Sequence, residues 1–351
     1  MVYPFEYIGN LHIHSIYSDG GWNIPKIAQS AAAAGLDFIC LNDHDFMMDH
    51  LHLEEEGFYG QVLVLAGLEI GERYHHYLSY NLKKMIKNDP LHPQEVIDQV
   101  NDQGGLGFLA HPFEKGMPFR ENSVAYTWND LSVDGYTGIC IWNFMSRWKE
   151  RIKTVFHGLY MLAFKSQTLK PPDRETLAFW DKMCQRKRVT AIGGSDAHGT
   201  PFRLGFLNFT PISYDYLLNT INVHILLKER MPKNIEDAKK AIYGAMREGR
   251  LYISHDRICS GRGFKFTFVS RKGLELIMGE EADFEDGELN IILPREGDIR
   301  LFKDGALIER YGGRSASYSV LERGVYRVEV YRRVPLFGLR PWIFSNPIYL
   351  R

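Results

Sequence analysis

The sequence predicts a parallel α/β fold followed by a small all-β module. Three observations carry this. Up to about residue 200, short apolar runs of strand length alternate with helix-like stretches. Strand after strand ends in a polar cluster: HIH, NDHD, GLE, AHP, IWN and GSDAH. From residue 259 the period changes to strict alternation, as in GFKFTFV, where Phe264, Phe266 and Phe268 share one face.

Taken in order, residues 7–14 read as a strand ending in His12 and His14. Pro25 and KIAQSAAAAG suit a helix with Gly35 past its end. DFICLN (37–42) and QVLVLAGLEI (61–70) read as buried strands, the second ending at Glu69, and RYHHYLSYN (73–81) as a further strand. A helix is expected over 93–103, between Pro93 and Gly104. GLGFLAHP (105–112), GICIWN (138–143) and RVTAIGGSDAH (188–198) follow as strands, with a helix starting near Pro172 and Asp173. Residues 213–228 and 234–248 read as helices, the second with Asn234 and Asp237 at its start and Gly249 beyond its end. In the last part Asp304-Gly305 between two strand-like runs is a hairpin signal, and GVYRVEVYRR alternates. The expected division is a barrel over 1–212, a helical extension packed on it over 213–258, and a β-sandwich over 259–351.

With 351 residues, 45% of them hydrophobic, the chain can bury a large core and a second domain. A formal net charge of -1 disfavours nucleic acid as the main partner. Cys40, Cys140, Cys184 and Cys259 form no C-x-x-C pair and read as reduced structural thiols. The start, MVYPFEYIGNLHIH, lacks a basic segment followed by an apolar one, and no apolar run approaches the ~18 residues of a membrane span. A cytoplasmic protein with no membrane partner is expected. The sequence leaves its oligomeric state open.

Of 13 histidines, nine fall within the first 111 residues, which locates the chemistry. In a parallel barrel the strands' C-terminal ends gather on one face, where active sites are built. That face should collect His12, His14, His44, Glu69, His111, Asp196 and His198. Residues i and i+2 of a strand point the same way, so His12 and His14 face the mouth while Leu11 and Ile13 face the core. Two imidazoles side by side suit a borderline divalent metal, and Asp19 in the next turn offers a hard oxygen ligand. GGSDAHG adds Asp196 and His198 two apart, after small residues that let the backbone turn tightly. Asp43 and Asp45 beside His44 read equally as turn acids or as carboxylates orienting an imidazole. Lys115, Arg120 and Arg203 are the candidate substrate cations, with Arg203 the best placed. His50, His52, His92, His157 and His224 read as ordinary surface or helix histidines, and His255 marks the domain junction.

HIHSIYSDGG, LNDHD, GLEI, HHYL, AHPF and GGSDAHG together resemble the successive motifs of the PHP (polymerase and histidinol phosphatase) metallohydrolases, over residues 8–205 in the family's order. The downstream part and the ending RPWIFSNPIYLR resemble the carbaryl hydrolase-like branch. The resemblance implies a distorted (β/α)7 TIM-like barrel with up to three divalent ions, zinc, manganese or iron, at its mouth. It implies one ion held by His12, His14, Glu69 and Asp196, a second sharing Glu69 with His76 and His111, and a third on Asp19, His44 and His198. His76 takes the family position ahead of His75, since a one-residue slip swaps faces. Where many relatives carry a glutamate this chain has Cys140; Asn143, at that strand's end, could still reach a substrate. The implied activity is hydrolysis of a small phosphate mono- or diester by a metal-bridging hydroxide, with Asp196, Glu69 and His198 in the catalytic set. Two alternatives stand beside it: a carbamate or carboxylic ester hydrolase, marked by a mouth walled with Trp22, Phe46, Phe113 and Trp142, and a non-catalytic metal-binding module.

Overall fold

The computed structural model describes residues 5–119, 125–204 and 207–351, with 202–204 and 207–209 described by their backbone alone. β1 (Phe5–Ile13) leads into α1 (Ile24–Ala33) and β2 (Phe38–His44). β3 (Gly57–Tyr59), β4 (Val62–Ile70) and β5 (Tyr77–Tyr80) precede α2 (Pro93–Asp102), β6 (Leu106–Ala110) and β7 (Gly138–Asn143). α3 (Phe144–Lys149), α4 (Val155–Ala163), α5 (Lys165–Thr168) and α6 (Arg174–Arg186) lead to β8 (Thr190–Gly194). Then come β9 (Phe202–Leu204), β10 (Leu207–Phe209), α7 (Tyr214–Leu217), β11 (Ile221–Leu227), α8 (Ile235–Glu248) and β12 (Leu251–His255).

The element ends follow local chemistry. The Asn23 side chain accepts from the Lys26 N–H to start α1. Asn234 does the same for Asp237 N–H at α8, and Gly249 closes that helix in the left-handed conformation (φ 72°).

β1, β2 and β4 are parallel neighbours, as are β6, β7 and β8. Between the two sets, β5 runs antiparallel to both β4 and β6. The series closes on itself. Ile13 bridges Ala197 in the parallel sense, with His14 N–H donating to Ala197 O (2.9 Å) and Ala197 N–H to His12 O (3.2 Å). Closure thus falls on the residues that carry the candidate site. At its other end β1 pairs with β11 instead.

Three expectations need correction. In the expected distorted (β/α)7 barrel the alternation is incomplete: β2 and β4 are joined through a 3-10 turn and β3, and β4 and β5 without a helix. RYHHYLSYN is strand only over Tyr77–Tyr80, and His75 sits in a left-handed turn (φ 59°). The stretch 213–228 is not a helix but one helical turn, α7, then β11. INVHILL is buried on both faces between β1 and β12, so its apolar run has no period that separates strand from helix. The extension over 213–258 is therefore mixed rather than helical.

The remaining strands are β13 (Lys265–Ser270), β14 (Glu275–Ile277), β15 (Glu281–Ala282), β16 (Gly287–Lys303), β17 (Ala306–Val320), β18 (Gly324–Val334), β19 (Gly338–Ser345) and β20 (Ile348–Leu350). β16 pairs with β13 along its first half and β18 along its second, and both halves contribute to one core around Phe266, Leu289, Leu301 and Trp342. Asp304 and Gly305 form the expected turn, both with positive φ. All four cysteines are free.

The module is tied to the rest by main-chain pairing of β19 with β12. Asn346 braces β8: its Oδ1 accepts from Ala191 N–H (2.7 Å), and its Nδ2 donates to Ala191 O (2.9 Å) and Leu251 O (3.0 Å). Arg327, 3% exposed, clasps Asp181 of α6 through two bonds (2.6 and 2.9 Å) and Glu329 through a third (2.7 Å). His224, read as an ordinary histidine, is fully buried between Glu6 (2.6 Å) and Asp256 (3.0 Å).

Asn346→Ala leaves the Ala191 amide unpaired in the interior and is expected to cost about 2–3 kcal/mol in a urea unfolding titration. Burial opposes the His224 charge, but Asp256 and Glu6 more than offset it and raise its pKa to about 9. A raised histidine stabilises fully below its unfolded pKa, and that contribution is lost as pH rises through the folded value. Wild-type stability is expected to drop by about 3 kcal/mol between pH ~6.5 and ~9 from this group. The gap between wild type and His224→Gln, read by urea midpoint, should narrow over the same interval.

Candidate metal centre

The centre is built around Glu69, the penultimate residue of β4 and 2% exposed. His12 Nε2 and His14 Nε2 lie 3.1 and 3.2 Å from its Oε2. His76 Nδ1 and His111 Nε2 lie 2.8 and 3.2 Å from its Oε1. His44, directly across from Glu69 in the parallel β2–β4 register, stands at 3.7 Å.

A second carboxylate, Asp196, follows β8 in a left-handed conformation (φ 57°), with Oδ1 3.5, 3.4 and 3.4 Å from His12, His14 and His198. The small residues of GGSDAH are required here. A Cβ on Gly194 would stand 2.6 Å from that of His12. A third carboxylate, the half-exposed Asp19, lies 3.2 Å from His198, 3.5 Å from His14 and 3.9 Å from His44.

These residues form three sets whose donor atoms lie within 4.8 Å of one another: His12, His14, Glu69 and Asp196; Glu69, His76 and His111; and His14, Asp19, His44 and His198. The donor chemistry fits divalent cations. Each set has at least one carboxylate and two imidazoles, the mixture that zinc, manganese or iron accept. His12 and His14 turn ring nitrogens at each other at 3.1 Å, and His44 Nδ1 and His76 Nε2 are buried without a hydrogen-bond partner. Such crowding of acceptors calls for a shared positive charge.

Protonation follows the same logic. Burial pushes the Glu69 and Asp196 carboxyls up, but the surrounding imidazoles, His12 foremost, hold both well below the usual carboxylate range. Burial and the neighbouring His14 drive His44 down to about 3, so it stays neutral. His111 goes the other way, to about 9: burial is outweighed by Glu114 and Glu69.

A surrounding layer fixes the donors. His111 Nδ1 faces Tyr126 O (3.1 Å), so that Nε2 faces Glu69, and His198 Nδ1 faces Asp196 O (3.0 Å). Asp43 accepts from Ser15 N–H (2.7 Å) and from the Ser15 and Ser18 hydroxyls (2.8 and 2.5 Å), which braces the turn carrying Asp19. Asp45 accepts from the Gly71 and Asn88 amides (2.9 and 2.8 Å). Both acids brace turns and neither bonds an imidazole.

His75 points away, receiving the Asp130 N–H at 3.4 Å. Asn143 ends β7, but its amide is committed: Nδ2 donates to Asp196 Oδ2 (3.1 Å) and Oδ1 accepts from Ser146 N–H (3.1 Å). The side chain of Arg203 and all of Arg120 lie outside the described residues. Lys115 is exposed and pairs with Asp173 and Glu175.

Sequence reasoning missed a buried pair at the wall. Glu114, its side chain 2% exposed, accepts from the Ser146 hydroxyl and from Lys149 Nζ (2.7 Å), while Lys149 also lies 5.2 Å from the Tyr126 ring centre. The His111-x-x-Glu114 spacing was the available signal for Glu114. Nothing in SRWK distinguishes Lys149. Together with Phe46 and Glu72, these residues line a cavity of about 290 Å³ over the centre.

Residues 10–139 match the family model of the PHP domain. The match spans seven of the nine candidate donors, from His12 to His111, and agrees with the motif resemblance over that range. No curated protein matches the chain. A two-domain protein from Bacteroides vulgatus, described as containing a PHP-like metal-dependent phosphoesterase, is similar at 16% identity and TM-score 0.48 over 98% of this chain and 95% of that one. A protein from Bifidobacterium adolescentis, described as a metal-dependent phosphoesterase, is similar at 15% identity and TM-score 0.30 over 57% of this chain and 92% of that one.

Two variants test the centre by metal-to-protein ratio in elemental analysis. Glu69→Gln should deplete the two sets that share its carboxylate, and Asp19→Asn only the third. Asn143→Ala, which frees Asp196, should cost roughly 10–100-fold in metal affinity at the first set.

Proposed function

We propose that the protein is a metal-dependent hydrolase of small phosphate esters. The observation that carries this reading is the trio of donor sets sharing Glu69 and His14 beneath a cavity with Lys149 in its wall. His12, His14, Glu69 and Asp196 would hold one divalent ion, Glu69, His76 and His111 a second, and Asp19, His44 and His198, with His14 alongside, a third. Such ions, when bound, neutralise phosphoryl oxygens and lower the pKa of water from 15.7 to about 7.

The chain's own residues do the rest. Glu114 holds Lys149 Nζ in place, so that a fixed ammonium can meet a phosphoryl oxygen. Asn143 fixes Asp196 Oδ2 and leaves Oδ1 turned to the imidazoles, where it is free to serve as a donor to the first ion. His198 is the most accessible imidazole of its set with His14 and His44, its side chain 20% exposed, and with Nδ1 held by Asp196 O it turns Nε2 toward Asp19 and the third site.

The phosphate reading is favoured over the carbamate or carboxylic ester one by the fate of four aromatic residues. Trp142 is fully buried against Phe344, Phe113 packs on Phe179 and Trp22 stacks on Tyr214. Of the four, only Phe46 lines the cavity. A cation and acids replace the expected aromatic wall.

The test is turnover of a phosphate monoester, a phosphodiester and a naphthyl carbamate with manganese or zinc added, against a chelated control. Chelator-sensitive turnover of a phosphoester is expected, and turnover of the carbamate alone would overturn the reading. Lys149→Gln should raise KM for the phosphoester by about tenfold or more, the loss of one hydrogen bond to a charged group. Lys149→Gln/Glu114→Gln, which leaves no unpaired buried carboxylate, should show the same loss, and Lys149→Arg should restore part of it.

A further inference from the structure

α4 wears its apolar residues outward. Val155, Phe156, Leu159 and Tyr160 are 57%, 85%, 59% and 47% exposed, and Met161 is the helix's only fully buried residue. A surface helix normally turns that stripe to the core. The tip of the β18–β19 hairpin stands beside it. Phe337 meets the ring of Phe164 at 5.2 Å, and Leu336 next to it is wholly exposed. Two elements far apart in sequence therefore build one apolar surface.

The segments that build it are basic, with Glu150, Asp173 and Glu175 gathered on one side, in the groove that Arg151 and Lys153 also line. Residues 151–170 contain Arg151, Lys153, Lys165 and Lys170 and no acid, and residues 331–341 contain Arg332, Arg333 and Arg340 and no acid. In a chain of net charge -1 this is a marked local excess. Lys165 turns onto Tyr216 and Arg332 onto Trp342. Arg340 borders the patch over Phe337, close enough to Arg151 for the two guanidiniums to repel. Lys153 is exposed at the start of α4.

Exposed phenylalanine and leucine ringed by lysine and arginine suit the boundary between headgroups and acyl chains of an anionic bilayer. A second copy of the chain suits it poorly, because a twofold contact through this face would set the same cations against each other. We propose that the face made by α4 and the β18–β19 hairpin docks peripherally on an anionic phospholipid surface, with Phe156, Leu159 and Leu336 entering the boundary and Arg151, Lys153 and Arg340 meeting the headgroups. This differs from spanning: none of the described helices is long and apolar enough to cross a membrane. The expectation of no membrane partner considered a leader and spanning segments, and a peripheral face is a different kind of contact.

The test is co-sedimentation of the full chain with phosphatidylcholine vesicles, with and without phosphatidylglycerol. Binding that requires phosphatidylglycerol is expected. Phe156→Ser/Leu159→Ser should weaken it by about tenfold or more, and Lys153→Gln by about fivefold, with circular dichroism melting unchanged for these exposed positions. Equal binding to both vesicle types, or binding unaffected by Phe156→Ser/Leu159→Ser, would overturn the proposal. So would a dimer in sedimentation analysis that the double variant abolishes, with no vesicle binding by wild type.

Discussion

A carboxylate with almost no exposure is held by five imidazoles, and the arrangement of strands serves that contact. Burying Glu69 alone would cost several kcal/mol or force it to take up a proton. The ring nitrogens of His12, His76 and His111, at 2.8 to 3.2 Å, hold it ionised instead. β2 must lie beside β4 to bring His44 across from Glu69, and β1 beside β2 to bring His12 and His14 over it. The odd direction of β5 has the same cause. His76 precedes its strand, so only an antiparallel strand starts at the end where the parallel ones finish. Gly71, at φ 128°, allows the reversal, and its amide is held by Asp45.

Much of this was legible because strand ends are punctuated by chemistry. Buried runs such as VLVLAGLEI have no polar residue until the last turn, so Glu69 and His44 could be placed at one end of the sheet from their position alone. The i, i+2 spacing likewise put His12 and His14 on one side. What failed to show was direction and pairing. Nothing in HHYLSY says that β5 is antiparallel. INVHILL could not reveal itself as a strand, because burial on both faces erases the alternation that marks one. Nor could His224 announce its two carboxylates, since Glu6 and Asp256 are 218 and 32 residues away. The Glu114–Lys149 pair joins a loop after β6 to the end of α3, a contact that only the fold creates.

The β module bears on the centre through β8. Asn346 satisfies both main-chain groups of Ala191, and the Tyr349 hydroxyl accepts from Val189 N–H at 3.2 Å. β8 carries Gly194 against His12 and leads directly into Asp196. A strand that must sit within van der Waals distance of a donor tolerates little drift. A module that grips its opposite end therefore acts as a splint for the candidate site. The Arg327–Asp181 clasp adds α6, which packs against β7, to the same rigid unit.

The cavity's own charge decides which ligands it can hold. Glu69, Asp196, Asp19, Glu72 and Glu114 are acids on its wall, and Lys149 is partly spent on one of them. Left to these residues, the field would repel a phosphate dianion, and one ammonium could not reverse it. Cations gathered on the shared carboxylates would reverse it, because bound divalent ions are the largest local charges wherever they sit. The same acids that by themselves are hostile to an anion are thus the ones able to assemble a positive floor beneath it. An uncharged carbamate would need no such inversion, and the wall offers it little apolar surface beyond Phe46 and Tyr126.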